Sequence, residues 1–284
     1  MPDGPTVRRR RLGAELRRLR DGQGMKLDEV ANHLGLVAST LSRIETGKAP
    51  IRTRYLNDLL DLYEITDPGV RRVLVDMGRE GHRKGWWSDY DDVLPSGFDV
   101  YVGLEAEARE LRAYEANFVH GLLQTRDYAT AILRGLHPRD TDEQIQRAVD
   151  LRLLRQRKLD EEPPLDLWLI LDEGAIRRQV GGTEVMRGQL EHLLRAGTWS
   201  HVTLQVMAFE EGAHAGIDGP FAILRFDPAD PDVACTEGMA GIVYLEKDRE
   251  VRACAEAFDR MRASALSPEA STALIETVQG QLGE

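Results

Sequence analysis

The segment Lys26–Lys48, KLDEVANHLGLVASTLSRIETGK, limits what this chain can fold into more than any other. Its first half is apolar at Leu27, Val30, Ala31 and Leu34, the i, i+3, i+4, i+7 spacing of one helix face. Gly35 follows, where a helix that stops needs a residue at positive φ. The second half, Ala38–Thr46, turns Leu41 and Ile44 inward, with Leu36 just before it, and leaves Ser39, Thr40, Ser42 and Arg43 outward. Gly47 ends that half, and Lys48, Arg52 and Arg54 lie in the connection beyond. Two short helices joined by a tight turn are predicted.

Neighbouring segments complete a small helical core. Arg8–Arg20 reads as a helix with Leu12, Leu16 and Leu19 on one stripe, broken by Gly22 and Gly24; its arginines Arg8–Arg11 also read as a solvated tail or a minor-groove arm. Thr53–Tyr63 packs back with Tyr55, Leu56, Leu59 and Leu60, and Asp67-Pro68-Gly69 opens a further helix, Val70–Glu80. Small polar residues and an arginine on the outer face of a second helix suit contacts to bases and phosphates.

Residues Arg8 to about Pro68 resemble the lambda-repressor-like helix-turn-helix domain of XRE-family regulators, through LRRLR (Leu16–Arg20), DEVANHLGL and STLSRIETGK. YEANFVHGLLQTRDYATAIL (Tyr114–Leu133), VTLQVMAF (Val202–Phe209), GPFAILRF (Gly219–Phe226) and GIVYLE (Gly241–Glu246) resemble the DUF5753 domain of Scr1-type, antitoxin-like regulators of actinobacteria. The first resemblance implies a mainly α domain that binds double-stranded DNA, as a homodimer on half-sites about one helical turn apart. It places Val37, Ala38, Ser39, Ser42 and Arg43 at base edges or adjacent phosphates, Thr40 beside them, and Arg43 on guanine. Val37 and Ala38 depart from the polar residues common there and suit thymine methyls. Lys26 stands where the family has a capping Ser or Thr; its ammonium cannot accept a hydrogen bond and instead reaches towards a phosphate. Lys48, Arg52 and Arg54 are expected on phosphates, and Arg20 and Glu45 correspond to an internal ion pair. The second resemblance implies a small DUF397-like protein partner.

Beyond residue 80 the pattern changes. Gly81–Pro95, GHRKGWWSDYDDVLP, has poor periodicity and reads as linker, giving a helix-turn-helix domain at 1–80, a linker at 81–98 and a second domain at 99–284. Trp86 and Trp87 are read as linker anchors, or as lining a pocket or interface. A long helix is expected over Val100–Phe118, then helices Arg126–Leu133 and Asp142–Asp160, the latter N-capped by Thr141. Segments 165–171, 202–209, 220–226, 233–236 and 241–246 read as strands, with helices Thr183–Ala196, Arg249–Ala265 and Pro268–Leu282. Strands with helices before and behind predict an α+β domain. Gln124 and Thr125, in the GLLQT segment, either pack in that core or offer polar contacts to a partner or ligand.

Charge is divided along the chain. Residues 1–85 carry 17 Lys and Arg against 12 Asp and Glu, a net of +5, leaving 20 against 36, a net of −16, for the rest. That segregation suits one half that meets phosphates and one that must not. No stretch approaches the roughly 20 apolar residues that span a bilayer, and MPDGPTVRRRR lacks an apolar segment behind its charge. A cytoplasmic, nucleoid-associated protein is expected, with Cys235 and Cys254 as thiols. GxxxxGK[ST], HExxH and GxSxG do not occur, and His192, His201 and His214 lie near Asp172 and Glu173 without metal-ligand spacing. No enzyme, cofactor or metal is expected. For the larger half three readings stay open: binding a small protein, sensing a small molecule in a pocket, or an enzyme regulated by or tethered to DNA.

Overall fold

The computed structural model describes residues 7–81, 85–95, 97–228, 230–239 and 241–282, and divides into two compact units: residues 1–91 with 96–107, and 92–95 with 108–284.

The smaller unit is helical: α1 (Val7–Gly22), α2 (Leu27–His33), α3 (Ala38–Glu45), α4 (Thr53–Leu62), α5 (Pro68–Glu80), a 3-10 turn at Trp86–Tyr90 and α6 (Phe98–Glu107). Leu12, Leu16, Val30, Ala31, Leu41, Ile44, Leu56, Leu59, Leu60 and Leu74 form its core. The helical periodicity therefore places these residues as expected. Arg9 and Arg10 are buried within α1, so these two belong to the fold and not to a solvated tail or an arm, while Arg11 is exposed. Asp67 caps α5 by accepting from Val70 N at 2.9 Å, and Pro68 takes the first helical position, where its missing N–H costs nothing.

The larger unit is α+β. A six-stranded sheet has the order β3-β2-β1-β4-β5-β6, with β1 (Glu110–Glu115), β2 (Asp166–Asp172), β3 (Val202–Met207), β4 (Phe221–Arg225), β5 (Val233–Gly238) and β6 (Gly241–Leu245). β1, β2 and β3 are parallel; β4, β5 and β6 run antiparallel to their neighbours. The crossover between β1 and β2 holds α7 (Arg126–Leu136) and α8 (Asp142–Gln156). That between β2 and β3 holds α9 (Glu173–Arg177) and α10 (Thr183–Ala196); α11 (Asp248–Ser264) and α12 (Pro268–Gln281) follow β6. One sheet face packs Tyr114, Ile170, Met207, Ile223 and Ala234 against Phe258 and Met261 of α11. Alternation sends Leu111, Ala113, Leu167, Leu169 and Leu171 to the opposite face, and these too are buried. Thr141 caps α8 reciprocally with Gln144: the Thr141 hydroxyl accepts from Gln144 N and the Gln144 amide oxygen accepts from Thr141 N.

The short α9 is a helix where none is expected, and the region around β1 differs more. The helix predicted over Val100–Phe118 stops at Glu107, and Glu110–Glu115 is a strand. ELRAYE suits a helix locally, but here it is an interior strand, paired with β2 through Ala113↔Leu169 and with β4 through Ala113↔Ala222. Pairing on both sides overrides the local preference.

Candidate nucleic-acid interface

The two-helix unit is shaped by its turns. At the end of α2, Gly35 sits at φ +66°, Leu36 N–H donates to Ala31 O at 2.8 Å and Gly35 N–H to Asn32 O at 3.0 Å. Gly47, at φ +67°, closes α3 the same way, with Lys48 N–H donating to Arg43 O at 2.7 Å. A side chain at either position would be strained, and at Gly47 it would also strike the backbone of Arg10.

The hold on α3 comes from α1 and from a buried ion pair. A Cβ on Gly13 would lie 2.5 Å from Ile44 O, so glycine lets α1 approach the end of α3. Arg20 donates to both oxygens of Glu45, at 2.8 and 3.0 Å, and to Met25 O at 2.9 Å, with both charged side chains almost wholly buried. The fork geometry is the strong bidentate form and ties the first helix to the last turn of α3. Gly13 is the scaffold residue that sequence reasoning missed; its signal is a small residue one position after Leu12 on a helix otherwise crowded with arginine and leucine.

With Leu41 and Ile44 buried, the opposite face of α3 is presented to solvent. Val37 is 66 % exposed; Ser39 and Arg43, one turn apart, are exposed, and Ala38, Thr40 and Ser42 are half-buried beside them. Val37, the N-cap, supplies no side-chain acceptor, which leaves the first N–H groups of α3 open. Lys26, Lys48, Arg52 and Arg54 are exposed around this face. Among the described residues Lys26, Arg43, Lys48 and Arg52 have no carboxylate within ion-pair distance, and Arg54 only touches that range, 4.0 Å from Asp58. At α2 the Glu29 carboxylate accepts from Lys26 N at 3.1 Å, half of a capping box that the ammonium cannot complete. The surface can neutralise phosphates along its rim and present Ser39, Ser42 and Arg43 to base edges.

The other candidates lie elsewhere. Trp87 is buried, with its ring against Gly103 of α6, and Trp86 is 41 % exposed. Gln124 is buried: its amide donates to Val119 O at 2.6 Å and accepts from Arg152 at 2.6 Å. Thr125 caps α7, accepting from Tyr128 N, and its own N–H donates to Gln189 Oε1 at 2.7 Å. Gln156 donates to Gly121 O and Gln124 O, and Gln189 to Leu123 O, so the GLLQT loop is pinned from α8 and α10. Beneath it Glu115 and His120 approach to 4.0 Å. Burial pushes Glu115 up to about 8, with Glu237 adding to the rise and Arg152 and Arg155 opposing it. His120 is pushed down to about 3 by burial, helped by Arg155 and Arg152.

The histidines do not gather. His192 and His201 flank Trp199, while His214 lies 3.5 Å from the Tyr114 hydroxyl, which also meets Asp172 at 3.3 Å. Asp172 caps α9 and Glu173 accepts from Phe209 N while pairing with Arg177. Among the described residues no three His, Cys, Asp or Glu side chains are placed to hold a metal, and no helix is long and apolar enough to cross a membrane. Cys235 and Cys254 form no disulfide.

Family comparison divides the chain in two as well, although residues 98–107, which cluster with the smaller unit, fall inside the second match. Residues 11–74 match a helix-turn-helix domain model, and residues 98–277 match the model for DUF5753, a domain of unknown function. No curated protein and no solved structure matches the chain. Geometry and family models together make the smaller unit a DNA-binding helix-turn-helix. The DUF5753 match covers more than half of the sequence, and the chain belongs to that family, carried behind a helix-turn-helix domain.

Proposed function

We propose that the chain is a sequence-specific transcriptional regulator of the XRE type, working in the cytoplasm as a homodimer, with α3 in the major groove. The single observation that carries this reading is the set of unpaired cations, Lys26, Arg43, Lys48 and Arg52, surrounding an exposed recognition face on a helix that is rigidly held. The larger unit is read as regulatory and not as an enzyme. Its Asp172 and Glu173 are engaged in capping and ion pairing, which suits a structural role. A protein partner of the DUF397-like, antitoxin-like kind is preferred to a small-molecule effector. The supporting observation is that a hollow of about 420 Å³ beside α11, lined by Asp227, Asp230, Asp232 and Asp248, is open and acidic. Small-molecule sites are typically enclosed and largely apolar. The test is to recover both genomic DNA and proteins bound to the tagged full-length chain from its own host. One recurring two-fold operator and one small co-purifying protein are expected; random DNA fragments would sink the sequence-specific reading.

A further inference from the structure

The connection from β3 to β4, residues 208–220, crosses the end of the sheet where β1, β2 and β3 finish, because β4 lies beyond them. Open α/β sheets take their ligands at that end of their parallel strands. The loop is firmly seated. Phe209 N–H donates to the buried Glu173 carboxylate at 2.8 Å, and His214, whose Nδ1 accepts from Gly216 N at 3.2 Å, lies 3.5 Å from the Tyr114 hydroxyl. Gly216 is buried so tightly that a Cβ there would lie 2.6 Å from the Met261 sulfur and 2.9 Å from the Tyr114 ring. Yet two large apolar side chains of this pinned loop face water, Phe209 58 % exposed and Ile217 66 % exposed. Beside them Glu210, Glu211 and Asp218 are exposed, and among the described residues none has a basic group within ion-pair distance. Elsewhere in the unit Asp142, Asp150 and Glu184 are each taken by an arginine, whereas residues 197–224 contain neither Lys nor Arg.

We propose that the 208–220 loop is where the larger unit receives its protein partner, through a partner segment that interleaves apolar and basic side chains. Exposed apolar surface rimmed by polar residues marks protein interaction sites. Phe209 and Ile217 supply apolar anchors that dehydrate on contact, and the three unpaired carboxylates supply a rim whose charge chooses the partner and speeds encounter. Complementarity of charge fixes the occupant as basic. Acidic segments are repelled, and so is the larger unit of a second copy, at −16 over residues 86–284. The proposal rests on the protein-partner reading given above and adds to it the place of docking and the chemistry of the docked segment.

The probe is a labelled synthetic peptide of alternating Leu and Lys, titrated with the full chain by fluorescence anisotropy beside Ser–Lys and Leu–Glu peptides of the same length. The Leu–Lys peptide should bind, the Ser–Lys peptide about tenfold more weakly, and the Leu–Glu peptide not at all. Phe209→Ser and Ile217→Ser should each weaken Leu–Lys binding by about tenfold, the scale of an interface anchor, with unchanged circular dichroism because both side chains are exposed. Glu210→Gln with Glu211→Gln should weaken it and flatten its salt dependence. Leu136→Ser, at a comparably exposed leucine of α7, should leave it unchanged. No binding of the Leu–Lys peptide, equal binding of the Ser–Lys peptide, or indifference to the loop substitutions overturns the proposal. So does a loop variant that alters duplex affinity with no peptide present, which would tie the loop to DNA binding instead. Proteins recovered from the host with wild type and with Ile217→Ser separate this site from the reading it rests on. A small protein held by wild type and lost from the variant supports both. The same protein held equally by the two removes the site and keeps the partner; none held by either, with the peptide still gripped at the loop, keeps the site and removes the partner reading.

Discussion

Around α3 in the smaller unit, Lys26, Arg43, Lys48 and Arg52 project into solvent with no acidic partner among the described residues. In the larger unit arginines are held by acidic neighbours: Arg109 by Asp227, Arg126 by Asp150, Arg134 by Asp142, Arg147 by Asp92 and Arg187 by Glu184. The same residue type thus has two uses. Paired on an acidic surface, it relieves repulsion among carboxylates. Unpaired beside an exposed helix, it keeps its charge available to displace counterions from DNA. The buried Arg20–Glu45 pair is a third use, inside the smaller unit, where the charge serves the fold alone.

The largest effect that tests this contrast is on stability. Glu45→Ala removes the buried carboxylate of Arg20 and should destabilise the smaller unit by at most about 3–5 kcal/mol, the usual cost of orphaning a buried charge, a ceiling lowered by the Asp21 carboxylate that stays 2.7 Å from Arg20 Nη1. Arg126→Ala breaks a half-exposed pair in the larger unit and should cost under about 1 kcal/mol. Urea unfolding of both variants measures the difference, and equal losses would erase the distinction between buried and surface arginine.

Next in size is binding. Arg43→Ala should relax preference at one base position per half-site by roughly 1–3 kcal/mol. Arg52→Ala should weaken every duplex alike and lower the slope of log affinity against log salt by about one. A control in the larger unit, Arg134→Ala, should change neither. Titrations across a salt series with matched single-base operator variants would expose identical behaviour of Arg43 and Arg52, which would cancel their separate roles.

The larger unit carries a pH response of its own. Glu115 is protonated up to about 8 in the fold against an ordinary 4.5, so the unfolded chain gives up this proton first and stability falls as pH climbs from 4.5 to 8. His120, held down at about 3 against 6.5, works the other way: its contribution is complete above 6.5 and is lost as pH drops towards 3. Between about 4.5 and 6.5 the two slopes oppose each other, and above 6.5 Glu115 acts alone. The free energy of urea unfolding should therefore decline from pH 6.5 to 8, by no more than about 1.4 kcal/mol per pH unit. The 17 % of the Glu115 side chain still exposed reduces that ceiling. Glu115→Gln should abolish the decline; a decline that persists would assign it to other groups.

How much of each unit was legible follows from where its determinants lie. The apolar spacing and the two glycines that shape α2, the turn and α3 lie within Leu27–Lys48, so periodicity placed both helices and the outward face. β1 was misread because nothing in ELRAYE signals a strand; its partners are at 166–171 and 221–225. The same holds for the polar loop: Gln124 is fixed by Arg152, and Tyr114 meets Asp172 and His214, contacts formed only after the sheet assembles. Gly13 lies between these cases, since its residue type is visible but the carbonyl of Ile44 it must admit is not.

A smaller effect sharpens the comparison through helix ends. α1 to α4 close alike, with a residue at positive φ followed by an N–H that bonds the carbonyl five residues back: Met25 to Arg20, Leu36 to Ala31, Lys48 to Arg43 and Ile65 to Leu60. Three of the closing residues are Gly24, Gly35 and Gly47; the fourth is Glu64, at φ 56°. In the larger unit α7, α8 and α10 end without such a residue. A side chain in the left-handed region costs roughly 1–2 kcal/mol, and glycine in the unfolded chain gives back about 0.4–1 kcal/mol of that as added entropy. Glu64→Gly should thus stabilise the smaller unit by roughly 0.5–1 kcal/mol, and Gly35→Ala, where an added Cβ meets nothing, should destabilise it by about the same amount. Thermal unfolding reads both. If Glu64→Gly is neutral or worse, the glutamate side chain contributes something that backbone geometry does not, and the uniform closure of the four helices is not what sets their stability.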